Sequence, residues 1–115
     1  MGKFSNYAAV YANLVIDGEA KGVLPFMVQI RHSETFEPLP SVETGDIGPK
    51  FGYNSKDNGY MMLRNVHIPR TNMLKRFVEV DKEGNLDLKG DLRIIYCIML
   101  ETRCFISQHS AIALA

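Results

Sequence analysis

The 115-residue sequence has no net charge, because 13 basic residues are matched by 13 acidic ones. Proteins that bind nucleic acid carry a basic patch or stripe, and this composition supplies none. Nucleic acid is therefore not an expected partner. The hydrophobic fraction of 46% and the charged fraction of 23% are instead typical of one ordinary globular domain with a single core.

Cysteines and long apolar runs are also scarce. Cys97 and Cys104 lie in an apolar stretch at a spacing that fits neither a disulfide framework nor a zinc site, so we expect two buried, reduced thiols. The three histidines have no spacing that suggests a metal site. The longest apolar run, Ile94 to Leu100, is far shorter than the ~20 residues that span a bilayer. With no signal-peptide pattern at the N-terminus, we expect an intracellular protein without a membrane span.

The first ninety residues have the pattern of strands and turns. Tyr7 to Ile16 and Val23 to Ile30 are apolar runs separated by Asp17-Gly18, a hairpin turn signal. Phe77 to Val80 and Leu86 to Leu88 flank a second glycine-bearing turn in the same way. Short strands at this spacing predict a mainly β fold, a compact antiparallel β-sandwich or barrel.

From Gly90 the pattern becomes helical. Asp91 can cap a helix, and apolar residues then recur on two opposite faces as far as Leu114. We therefore predict a C-terminal α-helix over Leu92 to Leu114. A helix that is apolar nearly all round must be buried on all sides. The β-domain can cover one face, so the other face requires more chain or another subunit.

Four stretches resemble the acyl-CoA oxidases. The glycine-rich stretch Gly45 to Tyr60 resembles an oxidase signature, whereas Val66 to Leu74 has a V-x-I-P-x-x-N-x-L skeleton that the acyl-CoA dehydrogenases share. Pro25 to Arg31 is similar to another oxidase stretch. Gly2 to Asn6 resembles the family's G-K-T-S-N, with Phe4 in place of threonine. Because the first signature favours an oxidase over a dehydrogenase, the peroxisomal-type acyl-CoA oxidases are the family indicated.

The resemblance implies a middle β-domain at residues 1–89 and the first helix of a C-terminal helical domain at residues 90–115. Members of this family hold FAD between these two domains, with acyl-CoA alongside, and work in the peroxisome. Their catalytic glutamate and most of their FAD-binding segments have no counterpart here, and the sequence lacks tryptophan for the family's tryptophan-glycine turn. The resemblance therefore implies no catalytic residue in this chain and no tight hold on FAD by this chain alone.

Five residues are candidates for binding. Gly2, Lys3, Ser5 and Asn6 follow the family's flavin-contacting turn, which implies backbone contact with FAD; the alternative is that they only begin a strand. Arg103 matches an arginine that lies near the thioester and pantetheine end of acyl-CoA in the related dehydrogenases. Its alternative role is a structural ion pair with another segment, because a charge within an apolar helix face needs a partner.

Three functions are open at this point. The favoured one is a segment of a flavin-dependent acyl-CoA oxidase, which converts acyl-CoA and O₂ to trans-2-enoyl-CoA and H₂O₂ in fatty acid β-oxidation. The second is a segment of an acyl-CoA dehydrogenase. The third is a non-enzymatic interaction or assembly module that keeps the β-fold and docks through the helix from Leu92 to Leu114.

Overall fold

A computed structural model describes residues 1–52, 54–91 and 93–114, without the side chains of residues 95 and 98. The elements, in chain order, are β1 (Tyr7–Ile16), β2 (Glu19–Gln29), β3 (Val42–Asp46), β4 (Gly59–Leu63), a short 3₁₀ turn (Arg70–Asn72), β5 (Val78–Val80), β6 (Leu86–Leu88) and α1 (Arg93–Leu114). Strands followed by one C-terminal helix is the order that the sequence predicts.

Strands β1 and β2 form the long hairpin predicted around Asp17-Gly18. Both turn residues have positive φ, 52° and 82°, which is the conformation of a type I′ turn and matches the twist of the flanking strands. The strands are antiparallel, with a register shift between Leu14 and Val15. The predicted hairpin near the end of the strand region is also present, with β5 antiparallel to β6.

The described strands pair as three separate two-stranded antiparallel sheets, β1–β2, β3–β4 and β5–β6. The antiparallel β class is confirmed, but no closed barrel exists among the described residues and a two-layer sandwich is not clearly formed. The physical reason is that no ladder pairs one described sheet with another. The isolated bridges, Phe26 with Met73 and Arg31 with Pro38, each involve residues outside the strands and do not join two sheets.

Strand β2 supplies residues to two small apolar clusters. Leu24 packs with Met73 and Val78 in the first cluster. The second cluster contains Val28, Ile30 and Val42. Leu24 and Val28 of β2 and Ile30 just after it are an even number of positions apart, so they lie on the same face of the extended chain. Phe26 is partly buried against both clusters and therefore links them.

Helix α1 begins where the sequence predicts, and the carboxylate of Asp91 accepts a hydrogen bond from the backbone N–H of Arg93 at 2.9 Å, as in an N-cap. Leu92, the predicted first residue, lies outside the described residues. The expectation that the β-domain covers one helix face is wrong: every described side chain of α1 is exposed except that of Met99, which is half-buried. Within the described residues, no helix is both long and apolar enough to cross a bilayer.

The prediction of buried cysteines is also wrong. Cys97 and Cys104 are free thiols, and both are exposed because they lie on the uncovered helix. The Cys97 thiol contacts only the carbonyl oxygen of Arg93, one turn earlier, at 3.6 Å among the described atoms.

Candidate functional site

The six residues at the N-terminus form a turn that a buried arginine holds from one side. Arg31, two residues after the end of β2, is only 4% exposed. Its Nη1 donates to the carbonyl oxygens of Met1 at 2.9 Å and Ser5 at 3.0 Å, and its Nη2 donates to the carbonyl oxygen of Gly2 at 2.6 Å. Nη2 also donates to the hydroxyl of Thr44 in β3 at 2.6 Å. The guanidinium thus connects the N-terminal turn, residues 1–6, to the β1–β2 hairpin that Arg31 follows and to Thr44 in β3.

An aspartate holds the N-terminal turn from the other side. The carboxylate of Asp57 accepts the backbone N–H groups of Lys3 at 2.9 Å and Phe4 at 3.2 Å, and the ammonium group of Met1 donates to it at 2.6 Å. The hydrogen bond from that ammonium group is the largest cause that lowers the pKa of Asp57 to about 2, and the two backbone N–H groups lower it further. Asp57 therefore remains an anion wherever the chain is folded near neutral pH.

Three glycines allow the N-terminal turn to lie directly on the β3–β4 hairpin. A Cβ atom on Gly59 would lie 2.4 Å from Cα of Gly2 and 2.4 Å from the carbonyl oxygen of Gly45. A Cβ atom on Gly2 would lie 3.0 Å from that same oxygen. Gly59 of the oxidase-like stretch is thus required by close backbone approach, whereas a Cβ atom on Gly45 would lie 2.5 Å from the ring of Tyr60.

Asn6 ends the N-terminal turn and is fixed through its backbone. Its carbonyl oxygen accepts the N–H groups of Ile30 at 2.8 Å and Arg31 at 3.2 Å. Its side-chain oxygen, Oδ1, is buried and has no hydrogen-bond partner in the described part of the chain. Buried acceptors are nearly always paired, so this enclosed oxygen is an exception in the described structure.

These contacts test how far the four candidate residues fit a flavin. FAD carries a ring N–H and ribityl hydroxyls, which are donors, but Oδ1 of Asn6 is enclosed by the described chain and could accept from them only if the turn opened. The N–H of Lys3 is taken by Asp57, and the carbonyl groups of Gly2 and Ser5 are taken by Arg31. Gly2 is buried and closely packed, which favours its structural interpretation.

The Lys3 side chain points to a second contact. Its Nζ lies 2.7 Å from a carboxylate oxygen of Asp46 at the end of β3. The hydrogen bond between them raises the pKa of Lys3 and lowers that of Asp46, whose carboxylate also accepts the backbone N–H of Gly48. Lys3 therefore has a structural partner, although more than half of its side chain is exposed.

Arg103 lies near the middle of α1, about 100 positions after the N-terminal turn in the sequence. It is exposed, and it makes no hydrogen bond or ion pair within the described residues. Its contact with substrate and its alternative ion pair with another segment therefore both stay predictions.

Two cavities flank residues 65–68. The more polar one, about 520 Å³, is lined among others by Tyr7, Gln29 and His67. The more apolar one, about 410 Å³, lies against one face of the β1–β2 hairpin. As far as the described residues show, none of the five candidate residues lines either cavity.

Sequence reasoning missed Arg31 and Asp57 as members of this site. Both residues lie inside stretches that resemble the oxidases, but nothing in the pattern indicates contact with residues 1–6. A possible signal was the charge itself: Arg31 follows an apolar strand directly, and a buried cation must find acceptors. No candidate metal site adds to this set, because the described residues contain no group of three or more side chains that could bind one metal ion together.

Comparison with known proteins gives relatives over the whole chain. No protein-family model matches the sequence. The chain is 41% identical to peroxisomal acyl-coenzyme A oxidase 1 of Rattus norvegicus over 115 residues, which are 100% of this chain and 17% of that relative. The crystal structure of an acyl-CoA oxidase from Lycopersicon esculentum (tomato) is similar with a TM-score of 0.84 and 43% identity, over 97% of this chain and 18% of that one.

A third relative is known with bound ligands. Acyl-CoA oxidase-2 of Caenorhabditis elegans, solved with FAD, ascaroside-CoA and ATP, is similar with a TM-score of 0.84 and 43% identity, over 89% of this chain and 15% of that one. The chain thus spans less than a fifth of the length of each of these relatives. By sequence along its whole length and by fold, the chain belongs to the acyl-CoA oxidase family, in which it corresponds to one segment of the longer members.

Proposed function

We propose that this chain contributes the β-domain that flanks FAD and acyl-CoA in a flavin-dependent acyl-CoA oxidase of fatty acid β-oxidation. The observation that carries the proposal is the 41% identity to a peroxisomal acyl-CoA oxidase over the entire chain, joined to the TM-score of 0.84 with a relative that binds FAD and a CoA ester. Because relatives of this chain are named peroxisomal, we expect that it acts in the peroxisome. Residues 1–89 are the middle β-domain, and residues 90–115 are the first helix of a C-terminal helical domain.

The reaction is the conversion of acyl-CoA and O₂ to trans-2-enoyl-CoA and H₂O₂. The chemistry that FAD supplies in such an enzyme is acceptance of the β-hydride followed by reaction with oxygen. In this chain Gly2, Lys3, Ser5 and Asn6 would lie beside the flavin as parts of the N-terminal turn. Arg103, exposed on α1, would contact the acyl-CoA.

The catalytic base is not proposed to lie in this chain. A base that removes the α-proton works best with a pKa raised towards neutrality. Wherever a carboxylate of the described residues has a shifted pKa, the shift is downward, caused first by a hydrogen bond from a cationic group or an asparagine amide: Glu19, Asp46, Asp57, Glu79, Asp81 and Asp91. We therefore expect no oxidase activity from the 115 residues alone.

The experiment that tests the proposal uses a chimaera. Residues 1–115 replace the matching segment of the tomato acyl-CoA oxidase, whose structure matches 97% of this chain. We expect the purified chimaera to be yellow with bound FAD and to release H₂O₂ when given an acyl-CoA. A second chimaera with the segment of the rat enzyme is the control for the grafting. If the control is active and the chimaera with this chain folds but retains no flavin, the proposed function is wrong.

The separate chain is tested in parallel. After incubation with FAD and desalting, we expect no retained visible absorbance from bound flavin. Retained flavin would show that the chain builds more of the site than we propose.

A second function, an interaction or assembly module, is favoured by one observation: the apolar side chains of α1 are exposed along its length. Such a surface marks a binding interface when it is contiguous. This module would be favoured over the oxidase by two results together. The chain would bind a partner stoichiometrically, and its chimaera would fold without flavin while the control with the rat segment is yellow. The relatives named above are all oxidases, so a dehydrogenase has no comparable support.

A further inference from the structure

The two edges of the β1–β2 sheet differ in what covers them. The edge formed by β2 is covered, because the carbonyl oxygen of Pro25 accepts the N–H of Leu74 at 3.0 Å and that of Met27 accepts the side-chain amide of Asn72 at 3.1 Å. Strand β1 pairs only with β2 among the described strands, and no other described segment makes a backbone hydrogen bond to its outer edge. The sheet therefore has one covered edge and one open edge.

The contacts of β2 also show which groups of β1 face the open edge. In an antiparallel pair, residues alternate between those whose N–H and C=O point to the partner strand and those whose groups point away, and opposite residues behave alike. Pro25 and Met27 point their carbonyl groups away from β1, and they lie opposite Tyr11 and Ala9. The backbone groups of every second residue of β1 therefore face the open edge: Tyr7, Ala9, Tyr11, Asn13 and Val15.

The open edge lacks the features that normally prevent the addition of another strand. Natural edge strands are short, or they carry charges, proline or a bulge. Strand β1 has 10 residues, none of which is charged or proline. The register shift near its end leaves the extra residue, Lys21, in β2, since Leu14 lies opposite Gly22 and Val15 opposite Ala20. Strand β1 is thus a continuous, uncharged edge.

The residues that face the open edge are complementary to a second copy of themselves. In an antiparallel pairing centred on Tyr11, Tyr11 lies opposite its own counterpart, Ala9 opposite Asn13, and Tyr7 opposite Val15. All outward-facing backbone groups are then paired, in about ten hydrogen bonds, which is a number typical of a protein interface. Aromatic pairs and aromatic pairs with β-branched residues stabilise neighbouring strands. The side chains of Tyr7, Tyr11 and Val15 are exposed and available for these pairs.

The other face of β1 also favours a second copy. The apolar cavity of about 410 Å³ lies under this edge and is lined in part by Val10, Ala12 and Leu14. A strand added to the edge places its own residues of the same face next to the cavity. In a second copy of β1 these residues are apolar as well: Ala8, Val10, Ala12 and Leu14.

We infer that two copies of this chain associate through β1, antiparallel and centred on Tyr11, to form a symmetric dimer with a four-stranded sheet across the interface. Such a pairing is isologous, because the same surface of both copies forms the contact. The association requires neither FAD nor acyl-CoA. It therefore goes beyond the proposed function and does not rest on it.

The first test exchanges charges on the twofold axis of the separate 115-residue chain. Light scattering after size exclusion should give twice the 13.0 kDa of one chain as the protein concentration rises. Tyr11→Lys and Tyr11→Glu each place two like charges opposite one another and lose the aromatic pair, so the dissociation constant rises about tenfold or more. An equimolar mixture of the two variants restores the dimer, because lysine then lies opposite glutamate. Leu100→Lys adds a charge at an exposed position of α1 and leaves the dimer unchanged.

The second test locates the interface in the unsubstituted chain by amide hydrogen exchange, measured by NMR at low and high protein concentration. The N–H groups of Ala9, Tyr11 and Asn13 become protected only as the concentration rises, since they face the open edge. Those of Val10 and Ala12 point to β2 and are protected at both concentrations.

Loss of the dimer in both Tyr11 variants, with recovery in their mixture, supports the inference. A mass of 13.0 kDa at every concentration overturns it. Association that Leu100→Lys abolishes and Tyr11→Lys does not assigns the interface to α1, which also overturns it. Protection of the Tyr11 N–H that is independent of concentration would mean that another part of the same chain covers the edge, with the same consequence. None of these results depends on whether the tomato chimaera binds flavin, so the proposed function is tested separately.

Discussion

The strand region, residues 1–91, contains fully buried apolar side chains, whereas helix α1 does not among its described residues. Leu24, Ile30 and Val78 in the strand region are 1%, 0% and 1% exposed. On α1, Ile106 and Ile112 are 62% and 66% exposed. The residue types are similar, so the difference lies in their surroundings: these three residues of the strand region have neighbours that exclude water, whereas the two isoleucines of α1 are left largely in solvent.

This difference separates local structure from packing. A 22-residue helix with a capped start satisfies its own backbone hydrogen bonds, but most helical stability in proteins comes from tertiary packing. The strands cannot satisfy their backbone groups locally and so form only together with their packing. Helix α1 therefore has the secondary structure of an internal helix without its surroundings, which is consistent with a segment of a longer fold.

The largest effect that we expect from this comparison concerns two isoleucines. Ile30→Ala removes a fully buried side chain and should lower the free energy of unfolding by about 2–5 kcal/mol. Ile106→Ala removes an exposed side chain from α1 and should change it by less than about 0.5 kcal/mol. Urea unfolding of both variants, followed by circular dichroism, measures the difference.

A result in which both variants lose similar stability would break the comparison. It would mean that the apolar face of α1 is buried in solution, by the strand region or by another copy. Repeating the unfolding at several protein concentrations separates these two cases, because only association makes the midpoint depend on concentration.

The sequence predicts much of the local structure because its signals are local. Asp17-Gly18 indicates the β1–β2 hairpin, since these two residue types tolerate the positive φ that a type I′ turn demands. Asp91 indicates the start of α1 for a similar reason, as its side chain reaches an N–H group only two residues away. The predictions that fail are those that depend on what packs against an element. They are the covering of one face of α1 and the burial of Cys97 and Cys104.

The candidate site was only partly predictable. Asn6, Gly2 and their neighbours were named through resemblance, but the residues that organise them were not. Arg31 contacts carbonyls 26 to 30 positions away, and Asp57 contacts N–H groups 53 and 54 positions away. Periodicity reports which face of an element is apolar, and it carries no information on contacts at such separations. The unpaired Oδ1 of Asn6 is likewise a property of three-dimensional packing.

A second, smaller effect concerns glycines within the strand region and at its border with α1. Gly59→Ala would bring a Cβ atom to 2.4 Å from the backbone of Gly2 and Gly45, so that backbone must move. We expect a loss of about 1–3 kcal/mol in the free energy of unfolding. Gly90→Ala is the matched control, because its Cβ atom would meet only side chains of Phe77 and Ile94, at 3.6 and 4.0 Å.

For Gly90→Ala we expect a change within about 1 kcal/mol, in the stabilising direction, since alanine restricts the unfolded chain. Thermal unfolding followed by circular dichroism compares the two variants. Equal losses for Gly59→Ala and Gly90→Ala would show that the border with α1 is packed as closely as the contact between the N-terminal turn and β4.

The smallest effect is a dependence of stability on acid that is confined to the strand region. The pKa of Asp57 is lowered from its ordinary value of 3.8 to about 2, first by the hydrogen bond from the Met1 ammonium group. The pKa of Glu79 is lowered from 4.5 to about 2, first by a hydrogen bond from Lys89 and then by one from Lys75. Because both folded values lie below the unfolded ones, the stability that these groups contribute is complete above about pH 5 and is lost as the pH falls towards 2.

Urea midpoints between pH 6 and pH 2.5 measure this loss, and two variants divide it. Asp57→Asn and Glu79→Gln should each reduce the dependence of the midpoint on pH. The ion pairs of Glu79 with Lys75 and Lys89 are largely exposed to solvent, so added salt should weaken its share. The Met1 ammonium group, the first cause of the lowered pKa of Asp57, forms a partly exposed ion pair with it, so salt should weaken that part of the share of Asp57. The remainder comes from the backbone N–H groups of Lys3 and Phe4 and should persist in salt. If salt removes the whole share of Asp57, its hydrogen bonds with these N–H groups add no measurable stability.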